Sequence, residues 1–270
     1  MVARAESGDR PVRLGLFVST GFPLTPLSMV LEALRLTNDA LGRETFAPVI
    51  VSRDGNDRIS SSGLPARVEH SVDDCPPLDV VLVCTGDRSH MIDDPGIMRW
   101  LRAAYRSGSQ VGAISGGAFV LARAGLLSGR ACAIHWVSAV ALAEAYPDIR
   151  VSGEIFVIDG RVVTCAGGIS TLDLMLHLIE QFEGRATARR VADDLIYPSI
   201  RRGHEPARIE LRRRTGVTNA VLLRAIEMME SHVEDPVTLS KISAGVGTSI
   251  RHLERLFARS LGTSPSKYYM

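Results

Sequence analysis

Residues 79–84 read Asp-Val-Val-Leu-Val-Cys, apolar at every position after the first. Side chains along a strand point alternately to the two faces of its sheet, so a strand wet on one side alternates in polarity. An unbroken apolar run has to be covered on both sides, as in a parallel sheet held between two helical layers. Residues 12–18 (VRLGLFV) read the same way apart from Arg13, and 46–52 and 110–114 are two further strands. Helical spacing falls between them. It covers 26–40, with Leu27, Val30, Leu31 and Leu34 on one face, then 95–106 with Pro95 at its start, and 118–124. Later come a helix near 138–146, strands near 155–158 and 162–165, and a helix over 170–182. Ser170 and Asp173 have capping-box spacing at the start of that helix, and Gly184 precedes a helical stretch over 186–195. Strand–helix alternation with short turns specifies a doubly wound, mostly parallel, flavodoxin-like α/β fold.

The pattern changes near the C-terminus. A helix is expected over 219–233, and 237–269 reads as a helix pair. Leu239, Ile242 and Val246 repeat at helical spacing, Gly247 breaks the run, and Ser249 stands where a cap is needed. Ile250, Leu253, Leu256 and Phe257 form the second apolar face, while Arg251, Arg255 and Arg259 fall four apart on another side. Two short helices, the second with an outward basic edge, suit a DNA major groove. Ser249, Arg251, His252, Arg255 and Arg259 are therefore the candidate contacts to double-stranded DNA. Capping and plain solvation are the competing roles for Ser249 and His252.

Charge supports that division. Residues 201–270 hold 12 Lys and Arg against 7 Asp and Glu, whereas the preceding 200 hold 19 against 23. The basic excess lies with the helix pair, as phosphate contact requires. With 270 residues the chain has room for about two domains. We divide it into a leader over 1–11, an α/β domain over 12–196, a charged connector over 197–217 and a helix-turn-helix domain over 218–270. The leader lacks the apolar stretch of a signal peptide, and no apolar run of about 18 residues is present to span a bilayer. Cys75, Cys84, Cys132 and Cys165 are scattered without metal-ligand spacing, as expected of reduced thiols in a cytoplasmic protein. Neither a metal nor a cofactor is expected.

Open α/β sheets bind ligands beyond the carboxyl ends of their strands. The turns there are Thr20-Gly21-Phe22, Thr85-Gly86-Asp87, Ser115-Gly116-Gly117 and Ala166-Gly167-Gly168. Ser115 stands at a strand-to-helix elbow, one residue short of the G-x-S-x-G pattern of serine hydrolases. A nucleophilic serine needs a base and an orienting acid, and His135 with Glu32 or Asp173 are the available residues. Against that reading, Ser115 could simply cap a helix and His135 could pack beside Trp136. A third reading is a non-catalytic oligomerisation module, with the apolar helix over 170–182 either pairing subunits or covering the sheet.

In order along the chain, several motifs resemble one family. They are Leu31-Glu32-Ala33-Leu34-Arg35, the run from Gly117 to Leu127 (GAFVLARAGLL), His135-Trp136, Ala166-Gly167-Gly168 with Asp173, and Leu253-Glu254-Arg255-Leu256-Phe257 followed by Ser264-Pro265 and Tyr268-Tyr269. The sequence resembles the GlxA-type branch of AraC/XylS transcriptional regulators, which join a PfpI-like, class I glutamine amidotransferase-like domain to an AraC-type DNA-binding domain. Enzymes of the PfpI-like superfamily carry cysteine, usually followed by histidine, at the elbow, and this chain has Ser115 and Gly116. The resemblance thus implies a domain that binds a small metabolite without catalysis. The branch implies amino acids or quaternary ammonium compounds such as betaine and carnitine as ligands. It also implies Glu32 as a ligand contact, at the position of the acid partnering the elbow cysteine. Phe22 and Trp136 are the aromatic candidates for a cation. The full ligand-contact expectation is Phe22, Glu32, Ser115, Gly116, Gly117, His135, Trp136 and Gly168. AraC-type domains have two helix-turn-helix units joined by a long helix, and the sequence covers the first, with 265–270 beginning the joining helix. A homodimer formed through the first domain is expected to supply a second DNA reader.

Overall fold

In the computed structural model, which describes residues 10–207, 215–232 and 235–269, the chain divides into two compact units, Met1–Ala207 and Arg208–Met270. The first unit runs β1 (Val12–Val18), α1 (Leu24–Leu41), β2 (Phe46–Ser52), the short strands β3 (Arg58–Ile59), β4 (Pro65–Ala66) and β5 (His70–Ser71), then β6 (Val80–Thr85). A 3-10 turn over Asp87–Met91 leads to α2 (Pro95–Arg106), β7 (Gln110–Ser115) and α3 (Gly117–Arg123). The unit continues with β8 (Ala131–Ala133), α4 (Ala139–Ala145), β9 (Arg150–Ser152), β10 (Phe156–Asp159), β11 (Val162–Cys165) and α5 (Ser170–Asp194).

Seven strands form the main sheet in the order β10-β11-β7-β6-β1-β2-β5. All its pairings are parallel except β10 with β11 at one edge. The continuous apolar runs are explained by the two cores. Leu14, Leu16 and Val18 of β1 and Val80, Leu82 and Cys84 of β6 face a core shared with α1 and α5. Phe17, Val81 and Val83, at intervening positions, face a second core with α2 and α3. Each such side chain removed from water contributes about 1.5 to 3 kcal/mol, and no strand position in β6 is left over for a polar residue on a wet face. The expected doubly wound α/β layer fold is the one observed.

Two capping expectations fail. Ile169, not Ser170, is the N-cap of α5 and makes no side-chain cap bond. Ser170 falls one position inside the helix, and its hydroxyl donates to the Gly167 carbonyl at 2.6 Å. Asp173 is occupied elsewhere. Fully buried, it accepts from the Tyr197 hydroxyl at 3.0 Å, the Arg201 backbone N–H at 2.8 Å and the Arg201 guanidinium at 2.7 Å. Residues 197–207, read from sequence as the start of the connector, are thereby fastened to the α/β unit. Ile155 N–H to the Glu205 carbonyl and Ala207 N–H to the Gly153 carbonyl, both at 2.8 Å, add to the attachment. Residues 208–214 of that connector lie outside the described residues, as do 1–9 of the leader. Ser115 caps nothing, since α3 begins after Gly116 with no side-chain cap bond.

The second unit runs α6 (Ala220–Glu230), α7 (Leu239–Gly245), α8 (Ile250–Leu261) and α9 (Pro265–Tyr269). Asn219, Thr238 and Ser249 cap the first three through side-chain oxygens, each worth about 1 kcal/mol. Leu222, Ile226, Met229, Ile242, Val246, Leu253 and Phe257 form its core. Ile250, expected on that apolar face, is 41% exposed in the first turn of α8. The Tyr269 hydroxyl accepts from Val237 N–H and donates to the His232 carbonyl, tying α9 back to the α6–α7 loop.

Candidate ligand cleft and DNA-binding helix

Because β1, β6, β7 and β11 are sheet neighbours running the same way, the four turns singled out from sequence lie side by side at one end of the sheet. Glycines let them close up. A Cβ on Gly86 would overlap the Gly21 carbonyl oxygen, and one on Gly167 would come within 2.8 Å of the Ser115 Cβ. Gly117 abuts the Val83 carbonyl of β6 in the same manner. These contacts let backbone approach backbone where a side chain would hold the turns apart.

Ser115 has a φ of 57°, the left-handed conformation, and it is half-buried. A non-glycine residue held there stores about 1 to 3 kcal/mol of strain, a feature concentrated at functional sites. Its chemistry is nevertheless weak. Neither the Ser115 hydroxyl nor the His135 ring has a hydrogen-bond partner among the described residues. The His135 ring lies against Trp136 with centroids 5.5 Å apart. Gly116 is buried, and a Cβ there would overlap both the Ser89 Oγ and the Gly86 carbonyl oxygen. The position after the elbow therefore has no room for an imidazole. Nor is a thiol nearby in reactive form. Cys165, whose Sγ is 3.4 Å from the Ser170 hydroxyl, is fully buried, and burial pushes its pKa up. Cys84 and Cys132 are likewise pushed to about 12 by desolvation, so these are neutral thiols. Among the described residues no group of three or more potential ligands is placed to hold a metal ion.

The remaining sequence-derived ligand contacts differ in what they can reach. Trp136 is 47% exposed, and Gly168 faces open space, with no atom within 4 Å of where a Cβ would stand. Phe22 is fully buried in the core shared with α1 and α5, so its ring cannot face a ligand. Glu32 lies within α1, where i,i+3 spacing brings Arg35 onto its carboxylate at 2.6 Å, and among the described residues it makes no hydrogen bond to Ser115. Asp173, the alternative acid, is consumed by Tyr197 and Arg201.

Sequence reasoning named Thr20, Gly21 and Gly86 as turn residues but missed Ser19, Arg88, Ser89 and Ile92, which line the cleft with them. Between β1 and β6 the order of connections reverses, since the chain first builds outward through β2 and then returns to the other side of β1. Such a switch point leaves a crevice, here about 410 Å³. Ser19, Thr20 and Gly21 form one wall, and Gly86, Arg88, Ser89 and Ile92 the other. No local motif marks Arg88 or Ile92. Their place depends on which strands become neighbours.

In the second unit, α8 presents Arg251, Arg255 and Arg259 exposed, while Leu253 and Phe257 point into the core. Ser249 accepts from His252 N–H at 3.2 Å, and the Arg255 guanidinium donates to His252 Nδ1 at 2.8 Å. The arginine face of α8 is thus open and its first turn is capped.

Comparison with known proteins agrees with both halves. The DJ-1/PfpI family profile matches residues 29–181. The HTH-type transcriptional regulator GbdR of Pseudomonas aeruginosa is 34% identical over 260 residues, covering 96% of this chain and 71% of GbdR. The HTH-type transcriptional regulator GlxA of Rhizobium meliloti is 36% identical over 264 residues, covering 96% and 81%. An isonitrile hydratase of Pseudomonas putida is 30% identical over 145 residues, only 51% of this chain and 60% of the enzyme. Among solved structures, an AraC family transcriptional regulator from Pseudomonas putida superposes with a TM-score of 0.63 at 27% identity, covering 68% of this chain and all of that one. Similarity that runs through both units is thus to regulators, and the enzyme matches about half the chain. A PfpI-type α/β unit without an elbow thiol, followed by a capped helix pair with an open arginine face, places this protein in the DJ-1/PfpI family and, within it, among the GlxA-type AraC-family helix-turn-helix transcriptional regulators.

Proposed function

We propose that the α/β unit is a non-catalytic sensor for a small metabolite of the amino-acid or methylated-amine class, and that its occupancy governs how the helical unit is presented to double-stranded DNA. One observation carries the sensor reading. The elbow keeps its strained backbone while Ser115 lacks a base and Gly116 excludes a neighbouring imidazole. Strain retained without a nucleophile is consistent with a site kept for binding. Ser115, Gly168, His135 and Trp136 form the ligand surface in this reading, with Gly116 and Gly117 acting as packing glycines behind it. On the DNA side, Arg251, Arg255 and Arg259 supply phosphate and base contacts, with Ser249 and His252 at the leading turn of α8. Dimeric readers place two such helices on half-sites related by two-fold symmetry, and in this reading the protein acts as a homodimer paired through the α/β unit, in the cytoplasm.

Salt titrations of duplex DNA binding by fluorescence anisotropy test the DNA face. The expected outcome for Arg251→Ala and Arg255→Ala is weaker binding and, for each phosphate no longer neutralised, a slope of log K against log salt shallower by about 0.9. Unchanged affinity and slope in both variants would remove α8 as the reading helix. The sensor half has its own check. A covalent adduct with a serine-directed fluorophosphonate, absent in Ser115→Ala, would restore the hydrolase assignment.

A further inference from the structure

We infer that Arg88 is the anchor for a carboxylate, so that the crevice between β1 and β6 takes a small carboxylic acid and a simple cation is not enough. This rests on the metabolite-sensing reading above and adds to it the group that the protein recognises.

The first support is the state of Arg88 itself. Arg88 lines the crevice, and its side chain has no hydrogen bond or ion pair with any described residue. Several other arginines of the unit are held by carboxylates. Arg10 pairs with Asp79, Arg35 with Glu32, Arg53 with Asp94, Arg58 with Asp54 and Arg130 with Asp159. No carboxylate among the described side chains lines the crevice.

The second support is the rigidity of the turn that carries it. Thr85 Oγ1 donates to Ser89 Oγ at 2.9 Å, and Ser89 in turn donates to the Gly86 carbonyl. Ser89 N–H donates to the same carbonyl, and Ile92 N–H to the Ser89 carbonyl. From α3, Arg123 donates to the carbonyls of both His90 and Ile92, and the His90 ring sits edge-on to Phe119. The turn is thus braced internally and by α3, and Arg88 makes no side-chain pair among the described residues. A braced turn fixes the backbone position of Arg88 and leaves only its side chain to be ordered on binding.

Chemistry then names the ligand. A planar guanidinium with parallel N–H donors matches a carboxylate in a two-point pair. Ser19 and Thr20 on the opposite wall add hydroxyls, and Ile92 adds an apolar surface for the rest of the molecule. About 410 Å³ accommodates a metabolite of modest size. One cation balances a monoanion, and a phosphate monoester would be left half-neutralised.

Matched probes test this by calorimetry on the full chain. Glycine betaine and choline share a trimethylammonium group, and arginine and agmatine share a guanidinium. Within each pair only the first has a carboxylate. The expected result is measurable binding of at least one carboxylate member, with its carboxylate-free counterpart much weaker. Arg88→Gln is expected to weaken that binding by about 10- to 100-fold with an unchanged melting temperature of the unliganded protein, and Arg88→Lys to recover part of it. If choline or agmatine binds as tightly as its counterpart, or Arg88→Gln binds the acid unchanged, the anchor is wrong and metabolite sensing stands. If none of the four binds, the amino-acid and methylated-amine class itself is wrong, and the anchor falls with it.

Discussion

At the scale of single residues, Asp173 is the least expected feature. A carboxylate with no exposed surface is costly unless its lone pairs are filled, and desolvation raises its pKa while Arg201 and Tyr197 work in the opposite direction. Removing the partner is worse than never having built the pair, because the charge stays buried. Arg201→Ala is therefore expected to cost about 2 to 4 kcal/mol at neutral pH, toward the lower part of the usual range, since the residue-201 backbone N–H and the Tyr197 hydroxyl remain. The sign of the pH dependence follows. Without the guanidinium the folded-state pKa of Asp173 rises further above the unfolded value of about 3.9. A raised acid is relieved by protonation, so its stability contribution is present at low pH and lost as pH rises through the folded value. The gap between variant and parent in urea unfolding should narrow as the pH is lowered from neutrality. A gap that stays constant or widens on acidification would mean that Asp173 is not the buried charge argued here. The sequence offered no route to this cluster. Ser170 and Asp173 matched a capping box, but capping depends on which residue ends the preceding loop, and Tyr197 and Arg201 come from 24 and 28 residues farther on.

Elements show the same division between local and non-local information. Gly184 breaks α5 with φ 85° and ψ 165°, a region that only glycine adopts freely. The break matters because Ala188, Val191 and Ala192 beyond it join the same core as Leu172, Leu176 and Ile179 before it. A straight helix of 25 residues would extend about 37 Å and carry them away from that core. No atom lies within 4 Å of a Cβ placed on Gly184, so Gly184→Ala tests the torsion alone. It should lower stability by about 1 to 3 kcal/mol in a thermal melt followed by far-ultraviolet circular dichroism. A variant as stable as the parent would show that the kink is not fixed by this residue. The kink was partly legible, as Gly184 separated two periodic stretches. β1, β2, β6 and β7 were legible because their apolar runs are long enough to show two-sided burial. β3, β4, β5, β8 and β9 were not, since strands of two or three residues have no period to read. Likewise α8 could be placed from its cap and stripe, while the order of strands that creates the crevice, and with it the role of Arg88, is decided by pairing between distant segments.

On the scale of the whole molecule, each buried cluster belongs to one unit. Two sandwich the sheet within Met1–Ala207, and the third is built from α6 to α9. Cooperative unfolding follows shared burial, so units with separate cores are expected to melt separately. The helical unit has about 60 residues and buries proportionally less of its surface than the α/β unit, so its transition should come first. Scanning calorimetry of the intact chain should therefore resolve two transitions. Duplex DNA binds only the folded helical unit, and mass action should raise the first transition while leaving the second nearly in place. A single transition with equal calorimetric and van't Hoff enthalpies would show that the two cores unfold as one. The backbone that joins the units is one route by which a ligand signal can pass. Residues 197–207 are the described part of that route, and Asp173, at the start of α5 and only five residues beyond Gly168, holds them through Tyr197 and Arg201. The same buried carboxylate thus stands between the turn that follows β11 and the segment that leads to the helical unit. A sensor built this way would lose regulation in Arg201→Ala while still binding DNA.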